Sequence, residues 1–200
     1  MHKSWESDLI GVEINERLGY SSIEIDESKI ISHANEIFWM FGCIDRNSKK
    51  ARVRCVLPKR SKNRLLALVK KYVYTNEGNL EEIYSINTRV FSDCFRSYQP
   101  ANFRYMGFIL KRVNHKVWFG NVLLHTNTIE SLWHSIKAVT NNFSCLTVEG
   151  IKKKFNSNEK DMSDYIDGWI AFVLLIRDFH RLNLNWPTRI QYLNNYLKSD

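Results

Sequence analysis

From Ser22 onward the hydrophobic pattern alternates: IEIDESKI puts an apolar residue at nearly every second position, the period of a β-strand, and carries Asp26. Residues 37–44 (IFWMFGCI) read as a second strand that closes on the turn-forming Asp45-Arg46-Asn47-Ser48, and residues 51–57 (ARVRCVL) as a third. Connections this short favour antiparallel neighbours. After Pro58 the period changes to three and four. Leu65, Leu66, Leu68, Val69, Tyr72 and Val73 then predict an amphipathic helix over about 61–74, broken by Glu77-Gly78-Asn79. Residues 86–92 form a short strand ending at Asp93, a helix over 95–106 is interrupted near Pro100, and residues 108–113 are a fifth strand. A loop over 114–125 leads to a helix whose stripe is Ile129, Leu132, Trp133, Ile136 and Val139.

Three strands, then helix, strand, helix, strand, helix is the order of a ribonuclease H-like α/β fold, with a mixed sheet and flanking helices. In that arrangement the first and fourth strands are neighbours, which brings Asp26 next to Asp93. Beyond Asn141 a polar segment holding Lys152-Lys153-Lys154 and Asn156-Ser157-Asn158 reads as an exposed loop. An apolar helix over 162–182 follows, its Trp169, Phe172, Val173, Ile176 and Phe179 expected to cap the core. Residues 1–20 lack a period and end in the loop signal Gly19-Tyr20-Ser21-Ser22.

Composition narrows the class. The 200 residues are 44% hydrophobic and 13% aromatic, enough for one domain with a sizeable core. The longest apolar run, WIAFVLLI at 169–176, is far shorter than a bilayer span, and the first residues lack the apolar stretch of a signal peptide. No membrane partner and an intracellular location are expected, nuclear if the source is eukaryotic. Cys43, Cys55, Cys94 and Cys145 show no metal-binding spacing, so reduced thiols are expected, at least three of them in the core. The net charge of +8 is uneven: the densest block, residues 49–71, holds ten Lys or Arg and no acid. Such a block is either a solvated face or a surface for a polyanion such as DNA.

Glu130 carries the candidate chemistry. On its own, Asn127-x-x-Glu130 has the spacing of a helix-capping box, with Asn127 as N-cap. At about 100° per residue, however, Glu130, His134 and Lys137 share a face beside the apolar stripe, and Asp26 and Asp93 end strands upstream. Three converging carboxylates repel one another unless a cation joins them, so the set makes sense as a Mg²⁺ or Mn²⁺ site for phosphoryl transfer. Strand alternation points Glu27 away from Asp26, towards the surface. Trp133 and Trp169 read as core.

These residues also resemble a family. IEIDESK at 23–29, FGCIDR at 41–46, SDCFRSY at 92–98, VNH at 113–115 and HTNTIESLWHSIK at 125–137 are similar, in this order, to the DDE transposases of the Merlin superfamily and their bacterial insertion-sequence relatives. The separation of 36 residues between Asp93 and Glu130 is the one that family uses. The resemblance implies a transposase catalytic domain that cleaves DNA at transposon ends and joins the freed 3′-hydroxyl to target DNA, using two Mg²⁺ or Mn²⁺ ions. It makes Asp26, Asp93 and Glu130 the catalytic, metal-binding acids, with Lys137 on a DNA phosphate and His115, Asn114 and Asn127 as further DNA-binding residues. It divides the chain into the tail of a missing upstream region (1–20), the catalytic domain (21–145), and a polar loop with C-terminal helices packing on it (146–200). Homodimerisation is left open, and so is a second reading: a domesticated or decayed copy that holds DNA or protein without cutting.

Overall fold

The computed structural model describes residues 15–33, 36–57, 59–73, 88–113, 125–140, 147–181 and 183. Among them the elements follow as β1 (Ser21–His33), β2 (Glu36–Asp45), β3 (Ala51–Val56), α1 (Lys62–Tyr72), β4 (Thr88–Asp93), α2 (Pro100–Tyr105), β5 (Ile109–Val113), α3 (Asn127–Thr140), α4 (Val148–Lys154) and α5 (Glu159–Arg181). The strands form one sheet in the order β3-β2-β1-β4-β5. β1, β2 and β3 pair antiparallel, whereas β4 runs parallel to β1 and β5 parallel to β4. This is the ribonuclease H-like arrangement that the element order predicts.

The central place of β1 explains its sequence. Both faces of the sheet are covered, so alternate residues of β1 enter two different cores. Ile23 and Ile25 pack with Leu65, Val69, Tyr98 and Phe103 beneath α1 and α2. On the other face Ile30 joins Met40, Val53, Ile129, Trp133 and Ile136, and the same core continues through Val148 and Ile151 of α4 and Met162, Ile166, Ile170 and Val173 of α5. α1 starts at Ser61, whose side chain accepts from the Arg64 N–H at 3.5 Å, and ends with Lys70 and Lys71 at the negative pole of its dipole. α5 also reaches the sheet's edge, where an Asp167 carboxylate oxygen accepts the Cys55 N–H of β3 at 2.6 Å.

Several expectations are corrected. Pro100 does not interrupt a longer helix. It opens α2, in the first turn where a missing N–H costs nothing. Lys152-Lys153-Lys154 is not loop but the last turn of α4, capped by Thr147 and anchored by buried Val148 and Ile151, with the lysines at the favourable end of the dipole. Ser21 and Ser22 are buried in β1, and the turn lies upstream at Gly19, whose φ of 68° suits a residue without a Cβ. β1 also runs to His33 with one irregularity between Lys29 and Ile31, so little loop separates it from β2. Cys43 and Cys55 are buried and their thiols pushed up to about 12 by burial. Cys94 is exposed, and Cys145 lies outside the described residues. No helix among the described residues is long and apolar enough to cross a membrane.

Candidate active site

The two aspartates belong to neighbouring parallel strands, each lying two residues beyond the last residue that pairs the two strands. The parallel register of β1 on β4 runs from Ser21↔Thr88 to Glu24↔Phe91. Two residues further, the same offset matches Asp26 with Asp93, the last residue of β4. Both lie on the face that α3 covers. Asp93 is held by the Phe95 N–H, which donates to Oδ1 at 2.9 Å. Asp26 is held by the Trp133 indole, whose Nε1–H donates to Oδ2 at 2.9 Å.

The third acid comes from α3, where Glu130 is exposed in the first turn. The carboxyl of Asp26 is raised to about 6, chiefly because burial disfavours its charge. The Trp133 and Glu27 N–H bonds oppose the rise, and the negative charges of Asp93 and Glu130 add to it. Asp93 and Glu130 thus both lie within electrostatic reach of Asp26.

The start of α3 is fixed by a carboxylate that the sequence reading passed over. Glu24 is fully buried on the same face of β1 as Asp26, and its Oε2 accepts the Ile129 N–H at 2.8 Å. Arg46 pairs with Glu24 Oε1 at 2.7 Å, stacks its guanidinium 3.7 Å above the Phe91 ring and donates to the His125 carbonyl. An anion at a helix N-terminus also meets the positive end of the dipole. The expected capping box on Asn127 does not form. Buried Thr126 is the N-cap instead: its carbonyl accepts the Glu130 N–H and its hydroxyl donates to Glu130 Oε1, both at 3.1 Å. Asn127 is the first residue of α3, exposed, with its N–H directed to His125 Nδ1 at 3.4 Å.

Trp133 reaches Asp26 because the strand beside it leaves room. Gly42 of β2 pairs across from Asp26, and a Cβ there would stand 2.9 Å from Trp133 Cζ2 and nearer still to Cη2. Gly42→Ala is expected to push the indole out of register with Asp26 and cost about 1–3 kcal/mol as an overpacked core. Denaturant unfolding measures the loss, and the indole N–H resonance reports the broken bond. An unmoved resonance would refute the tether.

Glu27 is not on the surface. Pointing away from Asp26 means entering the second core, where it is buried, accepts from the Tyr98 hydroxyl and pairs with Arg60 at 3.2 Å. The Arg60 guanidinium lies between the Trp39 and Phe95 rings, 3.8 and 4.4 Å from their centroids. Burial lifts the Glu27 carboxyl to about 7 against the pull of Tyr98 and Arg60.

Lys137 is half-buried, seven residues and about two turns beyond Glu130 on α3. Asn114 and His115 lie outside the described residues. Among the described residues no three His, Cys, Asp or Glu side chains stand close enough together to enclose one ion. The chemistry of the acids nonetheless fits a hard divalent cation: they are oxygen donors, and the charge of Asp26 is disfavoured chiefly by burial and further by its acidic neighbours.

No family model matches the chain, and no curated protein matches it. Among solved structures it is similar to the HTLV-2 integrase catalytic core domain in complex with magnesium, in dimeric form. The identity is 11% over 75% of this chain and 86% of that one, with a TM-score of 0.42. It is also similar to a chain of the simian T-cell lymphotropic virus intasome in complex with PP2A regulatory subunit B56 gamma. There the identity is 10% over 80% of this chain and 51% of that one, with a TM-score of 0.43.

Proposed function

We propose that the chain is a DDE transposase catalytic domain of the Merlin type, a polynucleotidyl transferase that cuts DNA strands and joins them to a target. The observation that carries the reading is that Asp93 and Glu130, from a neighbouring strand and a covering helix, are near enough to Asp26 to disfavour its charge. Residues 21–145 would be the catalytic domain, with α4 and α5 packing on it.

Asp26, Asp93 and Glu130 would hold two Mg²⁺ or Mn²⁺ ions. When bound, such ions supply a more acidic attacking oxygen and stabilise the leaving one. The protein's own contribution is positioning. Trp133 fixes one oxygen of Asp26, the Phe95 N–H fixes one of Asp93, and Thr126 holds Glu130 towards the helix start. Lys137 would hold a DNA phosphate as a compact charge, with Asn114, His115 and Asn127 as further DNA contacts.

The test is a calorimetric Mn²⁺ titration of the chain beside a folded Asp93→Ala variant, followed by strand nicking. Binding and nicking by the wild type alone are expected. A wild type that binds no metal even with DNA present overturns the enzyme reading in favour of a non-cutting, DNA- or protein-binding descendant.

A further inference from the structure

The edge of α3 turned away from Glu130 forms one wall of a second feature. At about 100° per residue, Glu130 and Lys137 lie on one side of the buried stripe of α3, and Thr128, Ser131 and Ser135 on the other. These three, with Lys49 of the β2–β3 turn and Arg177 and Arg181 of α5, line a groove of about 430 Å³. Asn127 lines it too, joining a predicted DNA contact to this wall rather than to the acids.

The groove is rich in donors. Arg177 donates to the Lys49 carbonyl at 2.6 Å and to Asp178 at 3.0 Å, and Arg181 to the Ser48 carbonyl at 3.0 Å and to Asp178 at 3.5 Å. Asp178 is thus engaged by both arginines. The Nε–H of Arg177 is buried and has no hydrogen-bond partner among the described residues, a costly state that an acceptor would relieve. Lys49 adds a second oddity. Its φ of 60° is left-handed, a turn position suited to Gly or Asn. A lysine held there at a conformational cost, in the lining of the groove, points to a use for its charge.

We infer that this groove holds a backbone phosphate of the DNA duplex whose other contacts are at the acids, an inference that rests on the function proposed above. α3 is about 10 Å across and each strand of a duplex carries a phosphate about every 3.4 Å of axis, so one duplex crossing the N-terminal turns of α3 spans both edges.

The test measures binding of a labelled short duplex of arbitrary sequence to the full chain over about 50–200 mM salt, with melting temperatures alongside. Lys49→Gly is expected to melt at the same temperature or higher, because glycine relaxes the turn, yet to bind more weakly, with the slope of log affinity against log salt reduced by about 1. Adding Arg181→Gln should reduce it by about 2 in all. Unchanged binding and slope in Lys49→Gly, while the wild type still nicks DNA with Mn²⁺, overturns the groove and leaves the proposed function standing. Weaker binding that comes with a lower melting temperature also overturns it. A wild type that neither binds nor nicks the duplex removes the proposed function, and the groove's occupant with it.

Discussion

Asp26→Asn is expected to abolish metal-dependent strand cleavage and, in the same protein, to raise the melting temperature. The two effects have one cause. Asn keeps the shape of the side chain and an oxygen to accept the Trp133 N–H, but removes a charge that burial and two acidic neighbours disfavour. The folded carboxyl titrates at about 6, above its ordinary 3.8. Between those values the folded state keeps a proton that the unfolded state has released, so wild-type stability falls as pH rises through this window and stays lower above it. Each unit is worth about 1.4 kcal/mol. Asp26 is only half-buried and solvent screens part of this, which leaves about 1–3 kcal/mol.

For a chain of this size that is about 2–4 °C per kcal/mol. Calorimetry at neutral pH and near pH 4 reads it: the variant should gain at neutral pH, and its stability should change less between the two. Cleavage should drop on the order of a thousandfold or more, as when one member of a set acting as a unit is removed. A variant that melts below wild type at neutral pH, or that still nicks DNA, would sink the assignment.

The largest loss of stability is expected from Arg46→Met. Glu24 has no exposed side-chain surface and Arg46 only 13%, so removing the arginine strands a carboxylate in the core. Breaking a buried pair in this way costs about 3–5 kcal/mol. The loss should carry into the site, because Arg46 also ties the His125 carbonyl ahead of α3 and Glu24 ties the Ile129 N–H within its first turn. Glu24→Gln combined with Arg46→Met should recover a large part, since a neutral amide still accepts the Ile129 N–H and no unpaired charge remains. Denaturant melts of the single and double variants measure the difference. A single variant within about 1 kcal/mol of wild type would show that the pair does not hold the helix start.

Periodicity made the element order and the approach of Asp26 to Asp93 legible, because a strand's repeat of two and the short β1–β2–β3 connections leave few ways to pair. The partners of Glu24 were not legible. Its cation is 22 residues away and the amide it accepts 105 residues away, so neither belongs to any local pattern. The capping box failed because the helix begins one residue earlier: the Thr126 carbonyl accepts the Glu130 N–H, and Glu24, reaching across from the sheet, takes the Ile129 N–H. Glu27 was misjudged because alternation gives the side of the strand but not what covers that side. Trp133 was read correctly as core, and its bond to Asp26 depended on Gly42 in the strand paired with β1, far from Trp133 in sequence.

Gly42 and Trp133 consequently cannot diverge independently. Any side chain gained at position 42 collides with the indole, and any smaller ring at 133 leaves both a void over the strand and Asp26 without its N–H donor. Among descendants of this sequence the two positions should change together or not at all. A lineage that loses the pair while keeping Asp26 must supply another donor for it from elsewhere in the fold.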